Sequence, residues 1–233
     1  MRRKGDRLSS VSLRWREQNA WWLILRVVVG GPCRLLVRLR TAGEEHLPAH
    51  GGAILTANHV SVLDPIYVAL PPTDRGRTIR YVGLESLFGP TPVGWLLRKL
   101  DQIPVRRGEL GQTEAIDELA RHVGDGRLTA ISAEGRVGDG PLQRLKTGAA
   151  RASLAANTPL IPVGVWGTQS RWPRTGFTLR PPLRPTVGVA FGPPIHPHGD
   201  PHDRGDVERL TEELAAAMAV QIERAKRLTG QSQ

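Results

Sequence analysis

Cysteine is nearly missing from this chain: Cys33 is the only one in 233 residues. That excludes a disulfide within the chain and any zinc site built on cysteine. Aromatic residues make up only 5% of the sequence, so an apolar core must come from Val, Leu, Ile and Ala. No window approaches the roughly 18 to 20 uncharged apolar residues that a membrane-spanning helix needs. No apolar run leads to a small-residue cleavage site, so no secretory signal is expected. Acidic residues are in deficit, 22 against 32 Lys and Arg, for a net charge of +10. Such an excess bears on partners rather than on fold: an anionic lipid surface, a nucleic acid or an acidic substrate. The basic residues are spread along the chain, and no zinc-finger, recognition-helix or aromatic RNA-binding signature accompanies them, which speaks against nucleic acid. A G-x-S-x-G elbow is also missing, so no hydrolase-type serine nucleophile is expected.

What the chain does have is concentrated at two places. The first is residues 1–40. A basic arm, Arg2-Arg3-Lys4, leads to Trp15, Trp21 and Trp22 and to Leu23, Ile24, Leu25, Val27, Val28 and Val29, with Arg26, Arg34 and Arg38 as punctuation. Indoles and arginines interleaved with aliphatic residues suit the bilayer interface, where rings sit at headgroup depth and guanidinium groups meet lipid phosphate. The expected partner is an anionic membrane surface, with the chain peripheral or monotopic on the cytoplasmic face of the cell membrane.

From Gly43 onward strand and helix patterns alternate. Strands are expected over 53–57, 78–82, 103–105, 128–132, 160–166 and 187–191. Helices are expected over 65–70 (stopped by Pro71-Pro72), 94–100, 112–123, 147–156 and 206–228. The alternation predicts an α/β layered domain with a mixed, largely parallel sheet flanked by helices, preceded by the N-terminal helical membrane-interface segment. The boundary is drawn at 40, with residues 41–233 as the domain that carries the chemistry. The stretch from Arg171 to Pro185 reads as an excursion, shaped as a hairpin.

The second concentration is Asn58-His59-Val60-Ser61, followed by Asp64-Pro65. Residues five apart share no helix face, so His59 and Asp64 meet only if the chain turns between them. Pro65 suits the first turn of a helix and Asp64 its N-cap. A neutral imidazole titrates near working pH and serves as a general base. A carboxylate on its other nitrogen fixes the tautomer and stabilises the imidazolium. Asn58 and Ser61 are expected to support the histidine loop. His196, His198 and His202, near Asp200 and Asp203, read as a solvated loop rather than a metal site, and no metal or prosthetic group is expected.

Asn58, His59, Ser61 and Asp64 match the N-H-x-S-x-x-D block of the glycerolipid acyltransferase family, which includes the 1-acylglycerol-3-phosphate acyltransferases. Ile103 to Gly108 resembles the second block, with Arg107 at its arginine position. Glu134-Gly135-Arg136, Asp139-Gly140 and Lys146-Thr147-Gly148 resemble the third, and Pro159 to Val163 the fourth. The resemblance covers roughly residues 40 to 195. It implies an acyl group moved from an acyl thioester, acyl-CoA or acyl carrier protein, to the hydroxyl of a lysophospholipid, 1-acylglycerol-3-phosphate above all. Other lysolipid or glycolipid acceptors, hydrolysis, and lipid or nucleic-acid binding without catalysis are the competing readings. Arg107, Glu134, Gly135, Arg136 and Lys146 are implied to hold the acceptor, and Pro162 to shape the acyl wall. The chain departs from the family in having Ala133 before Glu134, Arg136 directly after Gly135, a loop to Lys146 one residue short, and Asp101 where the second block begins with Gly.

Overall fold

The computed structural model describes residues 20–106, 109–138, 140–173, 176, 178 and 183–230, with the backbone alone for 109–112. The basic arm, Trp15 and Arg107 lie outside these residues, as do 174, 175, 177 and 179–182 of the 171–185 excursion. Seven strands form one sheet in the order β1-β7-β6-β2-β5-β3-β4. They are β1 (Arg38–Ala42), β2 (Ala53–Ala57), β3 (Ile79–Leu84), β4 (Ile103–Val105), β5 (Leu128–Ser132), β6 (Leu160–Trp166) and β7 (Thr186–Phe191). All neighbours are parallel except β6 and β7. The expected mixed, largely parallel α/β sheet is therefore present.

Helices cover both faces, as a parallel sheet requires. On one side are α1 (Ala20–Val28), α2 (Gly30–Leu36) and α3 (Asp64–Asp74), whose Cys33, Tyr67, Val68 and Leu70 pack with Leu55, Ile161 and Val163 of the strands. On the other are α5 (Glu109–Gly124), α6 (Gly148–Ala156) and α7 (Arg204–Thr229). Leu119, Val123, Leu210, Leu214 and Met218 pack there with Ile54 and Leu160. The α7 stripe of Val207, Leu210, Leu214, Met218, Ile222 and Ala225 is buried throughout, each large aliphatic residue contributing about 1.5–3 kcal/mol. Two strand glycines let α7 lie close. A Cβ on Gly164 would sit 2.1 Å from the Gln221 carbonyl oxygen, and one on Gly188 2.2 Å from that of Ala225.

Three elements differ from the sequence reading. β1 was not expected, because Arg-Leu-Arg-Thr-Ala is short, basic and adjoins a helical run. Its alternation is that of an edge strand, with Arg38 and Arg40 exposed. Strand structure thus begins at Arg38, just inside the boundary drawn at 40. Second, α3 does not stop before Pro71-Pro72 but runs to Asp74. Both prolines fall near its end, where tighter bonds from Arg75 N–H to the Pro72 carbonyl and from Gly76 N–H to the Thr73 carbonyl finish the turn, and Arg77 N–H closes it back onto Pro72. Third, α4 (Pro92–Lys99) ends on Asp101 in the left-handed region, φ 56°. Gln102 N–H reaches the Leu97 carbonyl at 3.0 Å, which makes this a Schellman close with Asp101 where glycine is usual. The Asp101 carboxylate takes Arg80 Nε at 2.7 Å and Arg127 Nη1 at 3.4 Å.

Those ion pairs offset the left-handed backbone. Asp101→Gly should therefore change stability by less than about 1 kcal/mol, relief of strain cancelling the lost exposed pairs. Asp101→Ala should cost about 1–2 kcal/mol, since it keeps the strain and loses the pairs. Denaturant midpoints measure both, and an alanine variant as stable as the glycine one would remove the explanation.

Candidate active site

β2 lies between β5 and β6 and parallel to both, so their carboxyl ends share one edge of the sheet. Ligand sites of open α/β sheets gather at that edge. His59 follows β2, Glu134 follows β5, and Thr168 follows β6.

His59 Nδ1 lies 2.9 Å from Asp64 Oδ2; the imidazole is about one-fifth exposed and the carboxylate almost wholly buried. The turn expected between them is present, but Asp64 is not the N-cap. It is the first residue of α3, with Leu63 as the flanking residue. Its side chain points back along the loop, where Oδ2 also accepts the N–H groups of Val60 and Ser61, both at 2.7 Å. Oδ1 accepts Thr168 Oγ1 at 2.5 Å. A buried carboxylate is expensive unless its lone pairs are filled, and here they are filled by donors. With the imidazole donating from Nδ1, Nε2 is the basic nitrogen, which is the arrangement a general base needs.

The remaining residues of the first block hold this loop in place. Asn58 Nδ2 donates to the Val165 carbonyl at 3.0 Å while its Oδ1 accepts Val165 N–H at 2.8 Å, clamping the end of β2 to β6. Ser61 Oγ donates to the Trp172 carbonyl at 2.8 Å and accepts Leu63 N–H.

Glu134 takes a part that the sequence reading did not foresee. It is buried, and its Oε1 accepts the backbone N–H of His59 at 3.1 Å. Gly138 N–H in turn donates to the His59 carbonyl at 2.6 Å. Arg136 is exposed and its Nε donates to Gln143 Oε1 at 2.7 Å, so Gln143, not Glu134, is its hydrogen-bond partner. Gly135 has φ 70°, and Lys146 lies where its Cβ would be, with Nζ 2.9 Å from that position. Arg136, Gly135 and Lys146 thus stand together beside the histidine loop. Pro162 is elsewhere: it is buried in β6 opposite Thr56, against Gly192 on the face that α7 covers. Asp203 caps α7 by accepting Asp206 N–H, and Asp206 accepts Asp200 N–H, so these loop acids serve the helix start.

Thr168, Gln143 and Tyr81 were not singled out from the sequence. Thr168 has a signal in hindsight, since it falls two residues past a strand adjacent to β2. Tyr81, on β3, has its hydroxyl buried without a hydrogen-bond partner among the described residues. Burial, with the charge of Asp64 added to it, pushes its phenol well up.

Burial also raises the Glu134 carboxyl above the usual range, against the N–H groups of His59 and Gln143, which lower it. The folded state therefore holds this proton to higher pH than the unfolded chain. Stability contributed at Glu134 is present below the unfolded value and is lost as pH rises toward the folded one. Glu134→Gln keeps an acceptor for His59 N–H and cannot ionise. The variant should gain stability relative to the native chain as pH climbs through that interval. Urea unfolding of both proteins in mildly acidic and neutral buffers measures the difference, and a trend of opposite sign would refute the assignment.

A family model described as Acyltransferase matches residues 38–166, more than half of the chain. An uncharacterized protein of Mycobacterium leprae is 30% identical over 181 residues, which cover 70% of this chain and 46% of that protein. The 1-acyl-sn-glycerol-3-phosphate acyltransferase of Limnanthes alba is 27% identical over 164 residues, 69% of this chain and 55% of that one. The chain spans about half the length of the curated relatives it matches. Among solved structures, the 1-acyl-sn-glycerophosphate (LPA) acyltransferase PlsC from Thermotoga maritima shares the fold. The TM-score is 0.67 at 21% identity, over 94% of this chain and 88% of that one.

Proposed function

The chain belongs to the acyltransferase family, and on that premise we propose that it transfers a fatty acyl group from an acyl thioester to a lysophospholipid hydroxyl. The acceptor favoured is 1-acylglycerol-3-phosphate, the product phosphatidic acid, and the donor acyl-CoA or acyl carrier protein. The observation that carries this reading is the His59–Asp64 pair, with every other donor at the carboxylate supplied by Val60, Ser61 and Thr168. His59 Nε2 takes the acceptor proton as the oxygen attacks the thioester carbonyl. The C–O bond forms, the tetrahedral intermediate collapses with cleavage of C–S, and the imidazolium returns the proton to the leaving sulfur. No covalent enzyme intermediate is needed.

Arg136 and Lys146 are two cations beside the histidine loop, and Arg136 retains two terminal guanidinium nitrogens for an acceptor phosphate while Nε holds Gln143. Arg107 is a further ligand in this proposal, from its place in the second block. Arg136→Ala should lower acceptor kcat/KM by roughly ten- to a hundredfold, about 1.5–3 kcal/mol, and leave the thioester KM nearly unchanged. Arg136→Lys should recover only part, for want of the fork. Equal losses for donor and acceptor would point to a disrupted loop instead.

Among the described residues no helix is long and apolar enough to cross a membrane. Leu23, Ile24, Val27 and Val28 of α1 are exposed, and Trp21 meets the exposed Trp95 of α4 edge-on at 4.7 Å. This apolar surface supports peripheral docking; in the proposal residues 1–40 dock on the cytoplasmic face of an anionic membrane and 41–233 form the catalytic domain. One labelled acyl thioester offered with a panel of lysolipids, glycolipids and water as acceptors tests the chemistry. Release of free fatty acid alone would make the protein a hydrolase. Co-sedimentation with phosphatidylglycerol-containing vesicles tests the docking, and a chain that stays in the supernatant would exclude it.

A further inference from the structure

We infer that a groove along the outer edge of β1 binds the phosphate of an anionic phospholipid, at a site separate from the catalytic one. The groove encloses about 450 Å³, and its charged lining is Arg34, Arg38, Arg75 and Arg184 against Glu44 and Asp74. In the sheet, β1 is three strands from β2, so the groove is roughly 14 Å from the histidine loop by strand spacing alone.

The charges do not cancel. Asp74 is taken by Arg34 at 2.5 Å, and Glu44 pairs with Arg75. Among the described residues, Arg38 and Arg184 reach no carboxylate. Both line the same groove, and the Arg184 side chain is anchored in it. The main-chain N–H of Arg38 donates to the Pro185 carbonyl at 2.9 Å, tying β1 to the chain beside Arg184. Arg184 Nη2 donates to the carbonyls of Arg34 at 3.2 Å and Val37 at 3.4 Å, where α2 ends. Two guanidinium-bearing residues that line one groove and, among the described residues, meet no carboxylate suit one phosphate, because the fork matches its oxygens.

The surroundings choose the source of that phosphate. Leu35 and Leu183, chain neighbours of Arg34 and Arg184, are 71% and 72% exposed. Val27 and Val28 on α1 are exposed to a similar degree, at 65% and 63%. A nucleic-acid backbone offers these aliphatic side chains nothing. A bilayer takes them among its acyl chains while its headgroups meet the arginines. The groove so occupied would fix how the protein sits on the membrane, beyond the diffuse attraction of a net +10 charge. The inference rests on the membrane-docking part of the proposed function and not on acyl transfer.

Calorimetric titration of the full chain with dihexanoylphosphatidylglycerol below its micelle concentration tests it, with dihexanoylphosphatidylcholine as the neutral comparison. Saturable binding of the anionic lipid alone is expected. The double variant Arg38→Ala/Arg184→Ala should weaken it by roughly ten- to a hundredfold. Arg38→Lys/Arg184→Lys, which keeps the charge and guards against misfolding of the alanine pair, should restore only part. Arg151→Ala/Arg204→Ala removes the same charge from exposed positions on α6 and α7 and should bind normally. Equal weakening in that control, or full recovery with lysine, would overturn a discrete site in favour of diffuse attraction. Competition by inorganic phosphate or a single-stranded oligonucleotide as strong as that by the lipid would overturn the lipid assignment. Acyl transfer to a soluble short-chain acceptor should be unchanged in Arg38→Ala/Arg184→Ala. A native chain that binds the lipid as expected yet transfers no acyl group would refute the catalytic proposal alone.

Discussion

His59→Ala should lower kcat by on the order of a thousandfold to ten-thousandfold and leave the fold and vesicle binding intact. The loss follows from the proton. Without Nε2 the acceptor hydroxyl must attack while still protonated, because the neighbouring carboxylates of Asp64 and Glu134 are buried and occupied by donors from the loop. Survival of the fold follows from the main chain. The His59 N–H still donates to Glu134 and its carbonyl still accepts Gly138 N–H, whatever the side chain. The imidazole is partly exposed, so little apolar burial is lost. Asp64 keeps the donors of Val60, Ser61 and Thr168 and is not stranded. Circular dichroism and a lipid-transfer assay on the same preparation separate the two effects. Near-normal turnover in a folded alanine variant would remove His59 as the base.

The sequence made the site legible where a residue's role is written in local spacing. His59 and Asp64 are five apart in a loop closed by a proline, and their meeting could be inferred from that alone. Strands 128–132 and 160–166 are apolar runs of ordinary length, and both were placed to the residue. The roles that were missed depend on contacts across the sheet. Glu134 is 75 positions from His59, and Thr168 is 104 from Asp64. Nothing in their neighbourhoods says that the ends of β5 and β6 will flank β2. Strand order decides that, and strand order is a property of the whole chain. β1 was missed for a different reason. An edge strand needs only one apolar side, so Arg38 to Ala42 carries half a signal and sits beside helices that carry a strong one.

The second large effect is expected at Asp64, where geometry and charge can be separated. In Asp64→Asn the amide oxygen can take the place of Oδ2 and still accept the His59 ring and the N–H groups of Val60 and Ser61. The amide nitrogen then faces Thr168 Oγ1, a hydroxyl that can turn from donor to acceptor. The loop can therefore keep its shape, and the variant should fold. What it loses is the negative charge that stabilises the imidazolium, and kcat should fall by on the order of ten-thousandfold with little change in either KM. Thr168→Val is the matching probe from the other side of the carboxylate. It leaves the charge and removes the 2.5 Å donor at Oδ1. A buried carboxylate short of one donor should cost about 1–3 kcal/mol of stability, and a small reorientation of Asp64 should reduce kcat by roughly tenfold. Thr168→Ser should restore both. The order of severity is what identifies the carboxylate: Asp64→Asn far below Thr168→Val, and Thr168→Ser close to the native chain. If Asp64→Asn retains turnover near that of Thr168→Val, the charge is not used in the reaction and Asp64 is a scaffold for the loop.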